Sequence, residues 1–143
     1  MHMIDQTKKY QTQWAAQFYA AAELTRRGYL VSLTLGNAPV ADLLVISPDG
    51  RNFMVDVKGQ ATGNFWIIKR RPPQDNLFYI LVYLPRDGGY LKFFILSYSE
   101  LMKEREEYRK RIKSKGGKYR DSLGGINWST ALKYEDRWDK LPR

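Results

Sequence analysis

The sequence contains no cysteine, and its single histidine, His2, lies beside the start methionine in a dipeptide that cloning commonly leaves. These absences exclude disulfide scaffolds, zinc sites built from cysteine and histidine, thiol nucleophiles and a histidine general base. Any polar chemistry must therefore use carboxylates, lysine and hydroxyl groups, or a hard metal ion bound through oxygen.

Long hydrophobic runs are also missing. The longest, LFYILVYLP at positions 77–85, is about half of what a membrane-spanning helix needs. The first ten residues are polar and lack the apolar centre of a secretion signal, so we expect a soluble, cytoplasmic protein that does not enter a membrane. The length of 143 residues and the hydrophobic content of 43% predict one domain over 1–143 with a sizeable core.

Acidic residues are in the minority. The 15 Asp and Glu residues face 24 Lys and Arg residues, which gives a formal net charge of +9. Such an excess favours polyanionic partners, with nucleic acid first and an anionic membrane surface second. The simpler alternative is that the charge only keeps a small protein in solution.

Hydrophobic periodicity predicts a helix over 12–27, with Trp14, Phe18, Ala21 and Thr25 on one face. Strands are predicted over 29–36, 41–47, 51–59, 65–69, 76–85 and 90–97, with a loop at 37–40 and the strand 76–85 in the interior of the sheet. Ser99 is suited to cap a second helix over about 100–113.

The basic, glycine-rich stretch 114–125 is predicted to be a loop. The tail that follows is predicted to be a short helix whose Trp128, Leu132 and Trp138 pack inward. The order α-β-β-β-β-β-β-α predicts an α/β fold, a mixed sheet flanked by helices, with a core over about 12–113 and a loop and helical tail over 114–143.

Pro48-Asp49-Gly50 joins two of the strands with the chemistry of a three-residue hairpin loop, in which the glycine takes a positive φ. Because the turn centres on Asp49, partner positions sum to about 98, which sets Asp42 opposite Asp56. Their carboxylates would lie about 5 Å apart, on the same face as Lys58. A bulge would shift this pairing by one position.

Two opposed aspartates repel each other unless positive charge lies between them. Lys58 supplies part of that charge, and a divalent cation would supply more, since Mg²⁺ binds one or two carboxylates, several waters and substrate phosphate oxygens. The alternative is a partly exposed cross-strand cluster worth under about 1 kcal/mol. The second aspartate on otherwise apolar strands favours the metal site.

The order of helix with glutamate, strand, Asp42 strand, turn and Asp56-x-Lys58 strand resembles the PD-(D/E)xK nuclease superfamily. Within it, the chain is similar to small restriction-endonuclease-like and Holliday-junction-resolvase-like domains. The resemblance covers about residues 14–100. It departs from the family pattern at Ala41, where a proline is expected, and the literal Pro48-Asp49 lies in the turn at the wrong end of the hairpin.

The resemblance implies a phosphodiesterase site on DNA with Mg²⁺ or Mn²⁺ as cofactor. Asp42 and Asp56 would hold the metal, with the Val57 carbonyl as a further ligand. Lys58 would orient or help deprotonate the attacking water, and Glu23 would complete the metal shell from the helix. An ordinary i,i+4 pair with Arg27 explains Glu23 about as well.

The segment RKRIKSKGGKYR (109–120), together with Lys69, Arg70 and Arg71, could contact phosphates without reading sequence. The candidates are Gln60, Lys69, Arg70, Arg71, Arg109, Lys110, Arg111, Lys113, Lys115 and Lys118. For the later members, a solvated helix end followed by a loop is an equal alternative. Trp66, Tyr90 and Trp128 could stack on bases, although aromatics at these spacings are more often core.

The sequence thus predicts a Mg²⁺-dependent endonuclease that hydrolyses DNA, including branched or single-stranded forms. Cutting two strands needs two sites, so we expect a homodimer or a component of a larger complex. The alternative is a catalytically silent nucleic-acid-binding or protein-interaction module on the same fold.

Overall fold

In the computed structural model, residues 2–34 and 41–143 are described, with side chains from Thr7 onward. The helices are α1 (His2–Arg26), α2 (Tyr98–Ser114) and α3 (Trp128–Leu132). The strands are β1 (Leu30–Leu33), β2 (Leu43–Ile46), β3 (Asn52–Gln60), β4 (Trp66–Ile67), β5 (Leu77–Tyr83), β6 (Lys92–Ser97) and β7 (Gly125–Ile126). Short 3₁₀ turns lie at Asp121–Leu123 and Trp138–Lys140.

The main sheet has five strands in the order β1-β2-β3-β5-β6. Strands β3 and β5 run parallel, and the other neighbours run antiparallel. This confirms the predicted α/β fold with a mixed sheet flanked by helices, and the predicted element order holds through α2. Beyond α2 the chain adds β7, which pairs with β4 in a separate two-stranded sheet, and α3.

The predicted hairpin between β2 and β3 is confirmed. Gly50 has φ +89°, and its N–H donates to the Ser47 carbonyl at 2.9 Å. The paired positions sum to 98, from Ile46 opposite Asn52 to Leu43 opposite Val55. Strand β2 is shorter than the predicted 41–47, whereas β3 has the predicted length and is shifted by one residue. The end of the predicted strand 29–36 beyond position 34, and the predicted loop 37–40, lie outside the described residues.

The aromatic residues whose spacing predicts α1 do not form the face that packs against the sheet. The residues packed against the sheet are Ala16, Ala20 and Leu24, each fully buried, whereas Trp14 and Phe18 are 37% and 55% exposed. The cause is the close approach of α1 to β3, where a Cβ added to Gly59 would lie 2.6 Å from the Ala16 Cβ. Only small side chains fit that contact, so the bulky aromatics point outward. The helix also begins at His2, ten residues before the predicted start.

Helix α2 begins at Tyr98, because Ser97 and not Ser99 caps it. The Ser97 Oγ accepts the N–H of Glu100 at 3.1 Å, and the Glu100 carboxylate accepts the Ser97 N–H at 2.9 Å. This reciprocal capping box satisfies two backbone donors at the helix start. Leu101 then packs into the core on the side of the sheet opposite to α1.

The tail packs inward in part as predicted. Trp138 is 8% exposed and packs into the core beside α1, and Trp128 packs beside Trp66 on the other side of the sheet. The prediction for Leu132 was wrong, since it is 42% exposed and Ala131 is buried in its place. No helix within the described ranges is long and apolar enough to cross a bilayer.

Candidate metal and nucleic-acid site

The site is built where β2 ends beside β3. Strand β2 pairs with β3 only as far as Leu43 opposite Val55, and the Asp42 N–H also donates to the Val55 carbonyl at 3.1 Å. Asp42 and Leu43 therefore both lie opposite Val55, as in a β-bulge, and the regular pairing of β2 with β3 ends there. Asp42 therefore lies one step beyond the ladder and not in the paired position predicted opposite Asp56.

Beyond Val55, the edge of β3 that faces β2 is satisfied by side chains. The Val57 N–H donates to Asp42 Oδ2 at 2.8 Å. Gln13 of α1 satisfies the next two backbone groups of β3. Its Nε2 donates to the Val57 carbonyl at 2.8 Å, and its Oε1 accepts the Gly59 N–H at 3.2 Å. Asp42 and Gln13 together replace the missing strand and prevent unpaired backbone groups at this edge.

Although the strand pairing stops, the two carboxyl groups still line the same cavity. Burial, and then the interaction with the neighbouring Asp56 carboxyl, raise the pKa of Asp42 to about 7. The Val57 N–H and the positive charge of Lys58 act in the opposite direction. Near neutral pH this carboxyl group is poised between its protonated and ionised forms, which is typical of functional sites.

Two cations face the other carboxylate. Asp56 Oδ2 lies 3.6 Å from Lys58 Nζ and 3.4 Å from an Arg71 guanidinium nitrogen. The Asp56 side chain is 15% exposed, while Lys58 is 37% exposed and reaches solvent. Asp56 and Lys58 thus share a face of β3, as the alternation of the strand predicts.

A buried tyrosine completes the base of the site. Tyr79 of β5 is the register partner of Asp56 on β3 and is 1% exposed. Burial, and then the negative charge of Asp56, raise the pKa of Tyr79 to about 12, while Arg71 opposes the shift. The phenol is therefore protonated at all physiological pH values and can only act as a hydrogen-bonding group.

These side chains line one open cavity of about 410 Å³. Its walls carry the predicted pair and lysine together with three consecutive basic residues of the segment after β4: Asp42, Asp56, Lys58, Tyr79, Lys69, Arg70 and Arg71. The sequence named Lys69, Arg70 and Arg71 as phosphate contacts without placing them, and the structure brings them to the aspartate pair. An anionic ligand entering the cavity would meet this positive charge.

Segment 68–71 is fixed from behind by a buried arginine. Arg105 of α2 is 2% exposed, and its Nε donates to the Ile68 carbonyl at 2.7 Å. The same guanidinium contacts Asp121 through both the side-chain Oδ1, at 3.0 Å, and the backbone carbonyl, at 2.7 Å. Arg70 pairs with the same Asp121 carboxylate at 3.0 Å. This Arg105–Asp121 clamp links α2, the 3₁₀ turn and the basic segment.

The structure does not bring Glu23 to the aspartates. Its carboxylate pairs with Arg26 and Arg27, each at 2.7 Å, in a different surface depression beside Trp138. The pair with Arg27 is the one that the sequence left as the alternative, and the pair with Arg26 is additional. The helical position nearest the pair is Gln17, whose Nε2 donates to Asp42 Oδ1 at 3.3 Å.

The remaining predicted nucleic-acid residues lie away from this cavity. Gln60 bonds both backbone groups of the loop at Asn64. Arg109 pairs with Glu106, and Lys110 pairs with Glu107, along the exposed side of α2. The others lie at the end of α2 or just beyond it: Arg111 and Lys113 in its last turn, Lys115 at its C-cap, and Lys118 beside a separate cavity. For Arg109 and Lys110 this is the solvated helix that was the stated alternative.

The donor set suits a small hard cation only with help from water and substrate. Among the described residues, no three acidic, histidine or cysteine side chains cluster as metal ligands. The Val57 carbonyl, the further ligand implied by the resemblance, already accepts from Gln13. Two adjacent carboxylates remain, and this number fits Mg²⁺, which keeps several waters and takes phosphate oxygens from its substrate.

Sequence reasoning missed Gln13, Gln17 and Tyr79. A signal for the two glutamines was present, since they are four residues apart and flank Ala16 and Ala20 on the small-residue side of the helix. The aromatic side of α1 has the stronger hydrophobic pattern, and that pattern does not include the glutamines. Tyr79 lies in an apolar run that predicts core, and nothing in that run marks a polar neighbour.

Comparison with known proteins does not assign this chain to a family. No protein-family model matches it, and neither a curated protein nor a solved structure does. The chemistry of the Asp42–Asp56 cavity is therefore the basis for a functional proposal.

Proposed function

We propose that this chain is a Mg²⁺-dependent nuclease that hydrolyses phosphodiester bonds of DNA in the cavity around Asp42 and Asp56. The observation that supports the proposal most directly is the close carboxyl pair, with the pKa of Asp42 raised to about 7 beside the cation Lys58. A cluster that served stability alone would place cations against both carboxylates, and here Asp42 faces a second acid.

The side chains have distinct roles in this proposal. Asp42 and Asp56 would hold the metal, which when bound supplies positive charge to the phosphate and a more acidic water. The Lys58 side chain is 37% exposed, more than those of Asp56 and Arg71, so it can reach the attacking water and offset negative charge on the phosphorane. Arg71 contacts Asp56 and would bind a non-bridging phosphate oxygen once the metal takes over that carboxylate.

A silent nucleic-acid-binding module remains the second candidate, and one observation favours it. Asp42 has a structural task, since it accepts the Val57 N–H at the end of the β2–β3 ladder. Asp56 is neutralised by Lys58 and Arg71. A chain that has lost catalysis could keep all these residues for folding and for binding phosphates.

Cleavage of supercoiled, single-stranded and branched DNA with Mg²⁺ or Mn²⁺ tests the proposal. We expect wild type to cut at least one substrate, and Asp56→Asn and Lys58→Met each to lower the rate by about 100-fold or more, since groups that stabilise developing charge contribute on that scale. A matched control is Lys92→Met. Lys92 is 38% exposed and pairs with Glu135 at 3.2 Å, much as Lys58 is 37% exposed and pairs with Asp56.

Metal binding gives a second readout that does not depend on catalysis. Titration calorimetry with Mn²⁺ should show one site in wild type that Asp56→Asn weakens and Glu104→Gln leaves unchanged. Glu104 is a suitable control because its side chain is 13% exposed, close to the 15% of Asp56. Absence of cutting on every substrate, with DNA binding intact, would support the silent module, and cutting that survives both site variants would reject this site.

A further inference from the structure

The outward face of α1 carries a row of aromatic side chains that the core does not use. Tyr10, Trp14 and Phe18 follow one another at i, i+4 and i+8, and they are 60%, 37% and 55% exposed. The rings of Trp14 and Phe18 stack with centroids 5.8 Å apart and planes inclined by 28°. We call these three residues the aromatic row.

The aromatic row lies next to the candidate site. Trp14 and Phe18 directly follow Gln13 and Gln17, the residues that contact the Val57 carbonyl and the Asp42 carboxylate. Successive helix residues differ by about 100° around an axis, and a helix with its side chains is about 10 Å across. A ligand that enters the Asp42–Asp56 cavity is therefore within reach of the row.

Positive charge lies along the N-terminal part of the aromatic row. Lys8 and Lys9 precede it on exposed positions of the same helix, and Arg86 reaches across to the Thr12 hydroxyl at 3.4 Å. Between Thr7 and Ala22 the helix carries no acidic residue. A polyanion with flat, apolar groups would match both features of this surface.

The other large apolar surface has a different character. An open depression of about 580 Å³ on the main sheet is lined by Leu30, Leu44 and Ile46 among others, and by one acid, Asp75, but by no lysine or arginine. Apolar surface without cations suits a protein partner. Exposed stacked aromatics with cations nearby distinguish α1 from this depression.

We propose that the aromatic row is a stacking platform for unpaired nucleotides, which makes single-stranded nucleic acid, or an unpaired segment within a duplex, the ligand of this face. Bases in a duplex are stacked on one another and cannot lie on side-chain rings, whereas exposed aromatics beside positive charge are how proteins hold single strands. A preference for unpaired DNA as substrate rests on the proposed nuclease function, whereas binding of unpaired nucleotides by the aromatic row does not depend on it.

Binding measured in EDTA separates the two proposals, because no cleavage is required. The probes are a fluorescein-labelled oligo-dT of about 16 nucleotides, a length within single-strand site sizes, and a blunt duplex of the same length, read by anisotropy. We expect Trp14→Ala to weaken oligo-dT binding about tenfold and to change duplex binding less than twofold. Trp14→Phe, which keeps a ring, should restore most of the affinity.

A matched control removes an exposed apolar side chain elsewhere. Leu30, in the depression on the main sheet, is 69% exposed, so Leu30→Ala should leave both affinities unchanged. Phe18→Ala provides a second variant in case Trp14→Ala lowers the melting temperature. Equal losses on both probes, no loss on either, or no oligo-dT binding by wild type would each overturn the proposal. So would sedimentation showing a dimer that Trp14→Ala converts to monomer, because the row would then join two copies of the chain.

Discussion

Asp42 and Asp121 belong to two acid–base clusters that meet along segment 68–71, and their pKa values move in opposite directions. Burial and the neighbouring Asp56 raise the pKa of Asp42 to about 7. Arg70, and then Arg105, lower the pKa of the exposed Asp121 to about 2. Both lie near arginines, so the number of cations nearby does not explain the difference.

The difference comes from what each carboxylate touches. Asp121 accepts hydrogen bonds from two guanidinium groups, so its ionised form is favoured at every ordinary pH. Asp42 accepts only from neutral donors, the Val57 N–H and the Gln17 amide, and faces another acid. The first arrangement stabilises a fold, and the second stores unfavourable charge that a bound cation would relieve.

The largest effect on stability is expected at the Arg105–Asp121 clamp. Arg105→Met should lower the free energy of unfolding by about 3 kcal/mol, because two backbone carbonyls, of Ile68 and Asp121, lose their buried charged donor. Urea denaturation measures this. Arg70→Met removes the exposed partner of the same carboxylate and should change stability far less, so similar losses for both variants would show that the burial of Arg105 is not what matters.

Replacing Asp42 is expected to stabilise the fold, by a smaller amount that depends on pH. A carboxyl whose folded pKa of about 7 exceeds its ordinary 3.8 holds a proton that the unfolded chain has already lost, so stability falls as pH rises between those values. Asp42→Asn should therefore raise the melting temperature of the metal-free protein at pH 8 by about 3 °C, and the gain should vanish near pH 4. A variant less stable than wild type at pH 8 would show that the ionised hydrogen bond to Val57 dominates.

The mirror-image substitution at Asp121 completes the comparison. Its folded pKa of about 2 lies below the ordinary 3.8, so its contribution is present above about pH 4 and disappears as pH falls towards 2. Asp121→Asn should lower the melting temperature at pH 7 and have no effect near pH 2. A destabilisation that persists at low pH would point to packing and not to charge.

The sequence predicted the features that depend on neighbouring residues alone, such as turn chemistry, hairpin register and the alternation of strand side chains. Pro48-Asp49-Gly50 specifies one turn chemistry, that turn sets the β2–β3 register, and the register brings Asp42 towards Asp56. The alternation of β3 places Lys58 on the same face as Asp56. Each step depends on a few adjacent residues, so each could be followed without knowing the rest of the fold.

The errors arose where a distant contact decides the outcome. The aromatic face of α1 has the stronger hydrophobic pattern, but the closeness of Ala16 to Gly59 selects the small-residue face. Glu23 is the first glutamate on the helix, yet the rotation of α1 points Gln13 and Gln17 at the site. Arg105 resembles any other basic residue of α2 in the sequence, and only the position of Asp121 shows why it is buried.

The edge of β3 also contains a built-in spectroscopic probe. Along that edge the Val57 amide donates to a carboxylate that titrates, while the Gly59 amide donates to the neutral side chain of Gln13. In ¹⁵N-labelled protein, the Val57 resonance should therefore follow the charge state of Asp42, and the Gly59 resonance, two residues away, should serve as its internal reference. One two-dimensional spectrum per pH, with and without a divalent cation, would report on the site without any substrate.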